Sequence, residues 1–184
     1  MPPFERPLGG VPQATEPLLG RARLFAEVLE MVQASPLVTL VGPGGVGKTR
    51  LAIEVANQLA LEFADGVRMV EFASVADAAS VPDVIAGSLG VLPHGDGTVL
   101  DAVAESLAGR QMLLVVDNCE HVVVAAAQAM ERILSRAPSC RVLATSRERL
   151  GVAGEQRVTV DPLRLDGGIS VSYTHLTLPT ILLV

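Results

Sequence analysis

The sequence predicts an α/β fold, a mainly parallel five-stranded sheet covered by helices on both faces. Three observations carry that expectation. Short apolar runs alternate with segments of helical period, the first run empties into a glycine-rich loop that opens a helix, and a later run ends on a single aspartate. Strands joined through helices lie parallel and are buried on both faces, so they read as continuous apolar stretches. In such sheets ligands collect at the carboxyl ends of the strands.

The elements follow in chain order. Met1 to Pro17 is rich in proline, lacks a periodic apolar pattern and reads as a flexible leader. The folded unit is expected over residues 18–166. Arg21 to Gln33 places Leu24, Val28, Leu29 and Val32 at helical spacing, and Leu37 to Val41 is a short buried strand. Past the glycine loop, Leu51, Val55 and Leu59 share one face of a helix predicted from Lys48 to Phe63. Val67 to Phe72 reads as a strand. Val81 to Leu89 and Val99 to Leu107 are two short helices separated by the turn-rich Pro93 to Gly97. Gln111 to Val116 is a strand ending at Asp117, His121 to Arg136 a helix, and Arg141 to Thr145 and Gln156 to Val160 the last two strands.

Composition narrows the function classes. The chain has 184 residues, about the size of one domain, with 49% hydrophobic and 18% charged residues, which argues against disorder. No apolar run reaches the roughly 18 residues of a membrane span, and Met1 to Thr15 lacks the basic start and apolar stretch of a secretory signal. A soluble, cytoplasmic protein is the expectation. The net charge of −6 gives these residues no electrostatic reason to hold nucleic acid. Cys119 and Cys140 match neither a disulfide framework nor a metal-ligand spacing and are expected to be reduced packing residues. Of the 14 basic residues Lys48 is the only lysine, so a chain that otherwise uses arginine keeps a slim point charge at one place.

Val171 to Val184 differs from everything before it, with no Asp, Glu, Lys, Arg, Ala or Gly, and with the only tyrosine, Tyr173. The string from Val171 to Thr180 resembles the in-frame translation of a transposase-type sequencing adapter. Residues 167–184 are therefore expected to be a non-native or disordered tail, with the natural sequence leaving off near Ser170, and they carry no functional argument.

The loop Gly42-Pro43-Gly44-Gly45-Val46-Gly47-Lys48-Thr49 fits G-x-x-x-x-G-K-[ST], with a strand before it and a helix after it. Glycines let backbone N–H groups close around phosphate oxygens, and the positive end of the following helix adds to them. Lys48 is placed to reach the β- and γ-phosphates of ATP, and the Thr49 hydroxyl to bind Mg²⁺, a hard cation that takes oxygen ligands. Asp117, at the end of Leu113-Leu114-Val115-Val116, is the candidate second magnesium partner.

Hydrolysis also needs a group that orients or deprotonates water. The residue after Asp117 is Asn118, whose amide cannot act as a base. Turnover is expected to be slow unless Glu120 reaches the water; its alternative role is that of a helix-starting acid. Arg147, just past the strand Arg141 to Thr145, is either a surface cation or a reader of the γ-phosphate.

Four stretches together resemble the STAND class of ATPases: Leu18 to Arg21, Gly42 to Ala52, Leu114 to His121, and Leu143 to Glu148. More narrowly, they are similar to the NB-ARC-like domains of bacterial LuxR-type and SARP-type transcriptional regulators. The resemblance covers Leu18 to about Leu165 and implies the three-layer sandwich of the P-loop NTPases. It implies that Gly20 and Arg21 lie near the adenine, that Arg50 belongs with the loop as a nucleotide contact, and that Arg147 senses ATP against ADP. It further implies a switch in which ADP holds a closed form and ATP favours opening and homo-oligomerisation of the full-length protein. Helical and winged-helix parts that normally follow are not recognised in this sequence, and DNA contact would come only through regions outside it.

Three functions compete at this point: a regulatory ATPase module, a non-hydrolysing nucleotide-binding scaffold suggested by Asn118, and a small-molecule kinase. The kinase has no arginine-rich acceptor lid in its favour. A GTPase is disfavoured because base reading by Asn-Lys-x-Asp needs a lysine other than Lys48.

Overall fold

The computed structural model describes residues 11–12, 20–92 and 97–162. Five strands, β1 (Leu37–Val41), β2 (Val67–Glu71), β3 (Leu113–Asp117), β4 (Arg141–Ser146) and β5 (Glu155–Thr159), form one sheet in the order β2-β3-β4-β1-β5. Every pairing is parallel. The chain therefore leaves β1, moves out to β2 and returns through β3 to β4, which takes the place beside β1.

Alternate strand residues feed two separate cores. Leu113, Val115, Val38, Leu40 and Leu143 pack with α1 (Ala22–Ala34) and α2 (Lys48–Leu59). Leu114, Val116, Val142 and Ala144 face α3 (Val81–Leu89), α4 (Val99–Leu107) and α5 (Val123–Arg136) on the other side. A strand with both faces covered has no solvent side to mark with polar residues, which is why β3 is buried along its whole length.

Local chemistry sets several boundaries. Gly90, at φ 65°, terminates α3, and Thr98 with Asp101 forms a reciprocal cap at the start of α4. Asp101 also pairs with Arg132 of α5, tying the two helices together. Two predicted helices are shorter than their apolar period suggested. The α2 helix ends at Leu59, and Glu62 and Gly66 close turns onto Leu59 O and Phe63 O. The helix expected from His121 is preceded by a 3-10 turn, Cys119–His121, and begins only at Val123.

Part of the segment read as leader is placed. Val11 is buried in the α1/α2 core, and the Asn57 side chain donates to Pro12 O at 3.0 Å. The proposed tail, Leu18, Leu19 and most of the leader lie outside the described residues.

Candidate functional site

The loop from Gly42 to Gly47 joins the carboxyl end of β1 to the first turn of α2. Gly42 sits where the exits of three strands meet: its N–H donates to Ser146 O at 3.3 Å, and a Cβ built on it would lie 2.4 Å from Val160 O. No side chain fits there. Gly47, the residue before the helix, has φ 87°, a left-handed conformation that costs glycine little. Pro43, Gly44 and Gly45 are exposed, and Val46 packs partly against the α1/α2 core.

Lys48, the first residue of α2, is 7% exposed. Its Nζ donates to Gly42 O at 2.8 Å and Pro43 O at 2.9 Å, so the ammonium folds back across its own loop. Desolvation lowers its pKa, with the nearby Glu120 carboxylate acting in the opposite direction.

A hydroxyl-carboxylate cluster lies beside it. Thr49 Oγ1 donates to Asp117 Oδ1 at 2.8 Å, and Thr145 Oγ1 donates to the same oxygen at 2.5 Å. Asn118, whose φ is 63°, turns its N–H onto Thr145 Oγ1 at 3.0 Å. Sequence reasoning missed Thr145. A polar residue near the end of an otherwise apolar strand was the available signal, but threonine is also an ordinary strand former. The donor set fits magnesium: Thr49 and Asp117 offer hard oxygens side by side. Among the described residues no group of three or more His, Cys, Asp or Glu could hold a metal alone. Two protein oxygens completed by phosphate and water is the usual manner of Mg²⁺.

The acid and arginine candidates meet across the loop. Arg147 Nε lies 3.3 Å from Glu120 Oε1, and a Cβ on Gly44 would be 3.5 Å from the second terminal nitrogen of Arg147. Glu120 is largely buried, its side chain 17% exposed, and its Oε2 is buried without a hydrogen-bond partner among the described residues. Glu120 is the first-turn acid of the 3-10 turn Cys119–His121, three residues before α5 begins.

On the opposite side of the loop Arg21 is 6% exposed and donates to Asp161 O at 2.8 Å; a Cβ on Gly47 would lie 3.7 Å from its other terminal nitrogen. Gly20, at φ 73°, precedes it and is exposed, as is Arg50 on the first turn of α2. The site thus gathers Arg21, Lys48, Thr49, Asp117, Glu120 and Arg147 around the loop. Cys119 and Cys140 are free and buried, and desolvation raises both thiol pKa values, which leaves them packing groups rather than nucleophiles.

Strand order, glycine loop and hydroxyl-carboxylate corner together define an AAA-type P-loop nucleotide-binding domain. The family model described as "AAA domain" matches residues 32–151, and the chain belongs to that family. A protein of Mycobacterium tuberculosis (strain H37Rv) named as an HTH-type transcriptional regulator is 41% identical over 119 residues, 65% of this chain and 13% of that protein. The regulatory protein AfsR of Streptomyces griseus is 34% identical over 131 residues, 66% of this chain and 13% of AfsR. The chain therefore spans a small part of the regulators it matches. Among solved structures, a STAND protein with a tetratricopeptide repeat sensor from Pyrococcus horikoshii aligns with TM-score 0.58 at 16% identity, covering 89% of this chain and 26% of that one. Cdc6p from Pyrobaculum aerophilum aligns with TM-score 0.59 at 16% identity, covering 83% and 47%. The regulator-type resemblance read from the motifs agrees with the two named relatives, and the fold is the P-loop sandwich shared with both solved structures. Among the described residues no helix is long and apolar enough to cross a membrane.

Proposed function

We propose that the chain is an ATP/ADP-binding switch module, with slow ATPase activity, of a bacterial signalling or transcriptional regulator. The observation that carries the reading is the Lys48 ammonium, desolvated and bonded to two carbonyls of its own loop, beside the Thr49–Asp117 pair. The carbonyls offer the ammonium only partial negative charge, and phosphate oxygens, which carry full negative charge, add a Coulombic attraction that the carbonyls lack.

In this reading the loop N–H groups bind the polyphosphate and Lys48 exchanges Gly42 O and Pro43 O for its β- and γ-oxygens. Thr49 and Asp117 hold Mg²⁺, which supplies neutralisation of the phosphate charge. Arg147 leaves Glu120 for a γ-phosphate and so distinguishes ATP from ADP, and the freed Glu120 orients water. Arg21 and Gly20 border the adenine, and Arg50 belongs to the nucleotide contacts. The nucleotide unit occupies residues 18–166, works in the cytoplasm, and reaches DNA and self-association only through the longer protein.

Asn118 favours one second reading, a nucleotide-binding scaffold that does not hydrolyse. Calorimetry with Mg²⁺-ATP and Mg²⁺-ADP, followed by single-turnover phosphate release, separates the two. Binding with slow release supports the switch; binding without release, unchanged by Glu120→Gln, supports the scaffold; no heat from either nucleotide on folded protein removes both.

A further inference from the structure

The backbone ladder between β3 and β4 stops at Val116 and Ala144, one position short of Asp117 and Thr145. Beyond that point side chains take over. Asn118, the only non-glycine residue with positive φ among the described residues, turns its N–H back onto the Thr145 hydroxyl. One lone pair of that oxygen is thereby engaged, and its single proton is directed to Asp117 Oδ1 at 2.5 Å. Thr145 is 1% exposed, and a hydroxyl this deep is tolerated because it both donates and accepts a hydrogen bond.

We propose that Thr145 is a positioning residue of the magnesium site: its hydroxyl holds the Asp117 carboxylate against Thr49, so that the oxygens meant for the ion are oriented before it arrives. The inference rests on the nucleotide-binding reading above. Two hydroxyls, one from α2 and one from β4, converge on Oδ1, and both must be in place for the carboxylate plane to be fixed from two sides. With Thr49 alone the carboxylate keeps a free rotation about that single bond. The strand carrying Thr145 pairs with β1 as far as Val41 and Ser146, at the foot of the phosphate loop. Carboxylate and loop are thus referenced to one rigid strand.

The test compares Thr145→Val, which keeps the shape and removes the hydroxyl, with Thr145→Ser, which keeps the hydroxyl. ATP binding is measured by calorimetry in EDTA and across a magnesium titration, with thermal melting to verify the fold. Thr145→Val is expected to raise the Mg²⁺ concentration at half-maximal ATP binding by about 10-fold or more, the usual cost of losing a partner that orients a metal ligand, while leaving binding in EDTA unchanged. Thr145→Ser is expected to stay near the wild type. Combined with Asp117→Ala, Thr145→Val is expected to add nothing. An unshifted magnesium midpoint in Thr145→Val overturns the proposal, as does an equal loss with and without magnesium, which marks a purely structural role. Thr145→Ala gives the same reading if the valine variant does not fold. Wild-type protein that binds no nucleotide in either condition refutes the functional reading itself, and is distinguished by needing no variant.

Discussion

Two corners of the site are built in opposite ways. At the Asp117 corner, oxygens from α2, β3 and β4 lie 2.5–2.8 Å apart, with Thr145 and Asp117 buried. At the Arg147 corner an ion pair spans 3.3 Å, the arginine side chain is 67% exposed, and one oxygen of Glu120 lacks a partner among the described residues. A buried cluster of short hydrogen bonds resists rearrangement because every bond broken strands a polar group. An exposed ion pair is worth at most about 1 kcal/mol and exchanges partners readily. The first corner suits a fixed task and the second suits a change of partner.

The contrast can be broken or sharpened by substitution. Lys48→Ala, which removes the charge between the corners, is expected to weaken ATP binding by about 100-fold, roughly 2.7 kcal/mol, by calorimetry; equal affinity in wild type and variant defeats the phosphate-loop reading. Gly42→Ala tests the frame to which both corners are attached. With Val160 O only 2.4 Å from the new methyl, the loop or β5 must shift, and chemical denaturation should register a loss of about 1–3 kcal/mol. Arg147→Ala should lower the preference for ATP over ADP by about 10-fold, or roughly 1.4 kcal/mol, with ADP affinity unchanged. A parallel loss for both nucleotides would mean that the arginine is an unspecific cation. Glu120→Gln should change unfolding free energy by less than about 1 kcal/mol, because its arginine partner is so exposed.

A pH effect away from both corners is the smallest expected. Hydrogen bonds from Thr98 and Arg132 hold Asp101 below its ordinary value of 3.8, at about 2. A folded-state value that low means the capping contribution is present above about pH 4 and fades as the pH falls through 2. The melting-temperature gap between wild type and Asp101→Asn should therefore be small at pH 7 and close near pH 2. A gap that persists there would assign the difference to the side-chain swap itself.

How much of this was readable in the sequence depends on the range of the interaction. The phosphate loop is a local pattern, and the strands carry their identity in contiguous apolar runs, so Leu37–Val41, Val81–Leu89 and Val99–Leu107 are found where periodicity places them. Magnesium and arginine candidates followed from strand ends. What could not be read is what the sheet order creates. Nothing in the linear sequence states that β4 lies between β1 and β3, so the arrival of Thr145 beside the expected pair Thr49 and Asp117 was invisible. The reach of Arg21 to Asp161 O, 140 residues away, was hidden for the same reason. The late start of α5 was missed because helical period says nothing about the left-handed Asn118 that delays it.

The tight seat of Gly42 has a mechanical corollary. Val160 donates its N–H to Val41 O at 2.7 Å while its carbonyl bears on Gly42, and Asp161 follows under the grip of Arg21. The backbone leaving the sheet is therefore fastened at Val160 to the glycine loop and at Asp161 to Arg21, the residue preceding α1, two grips one peptide unit apart.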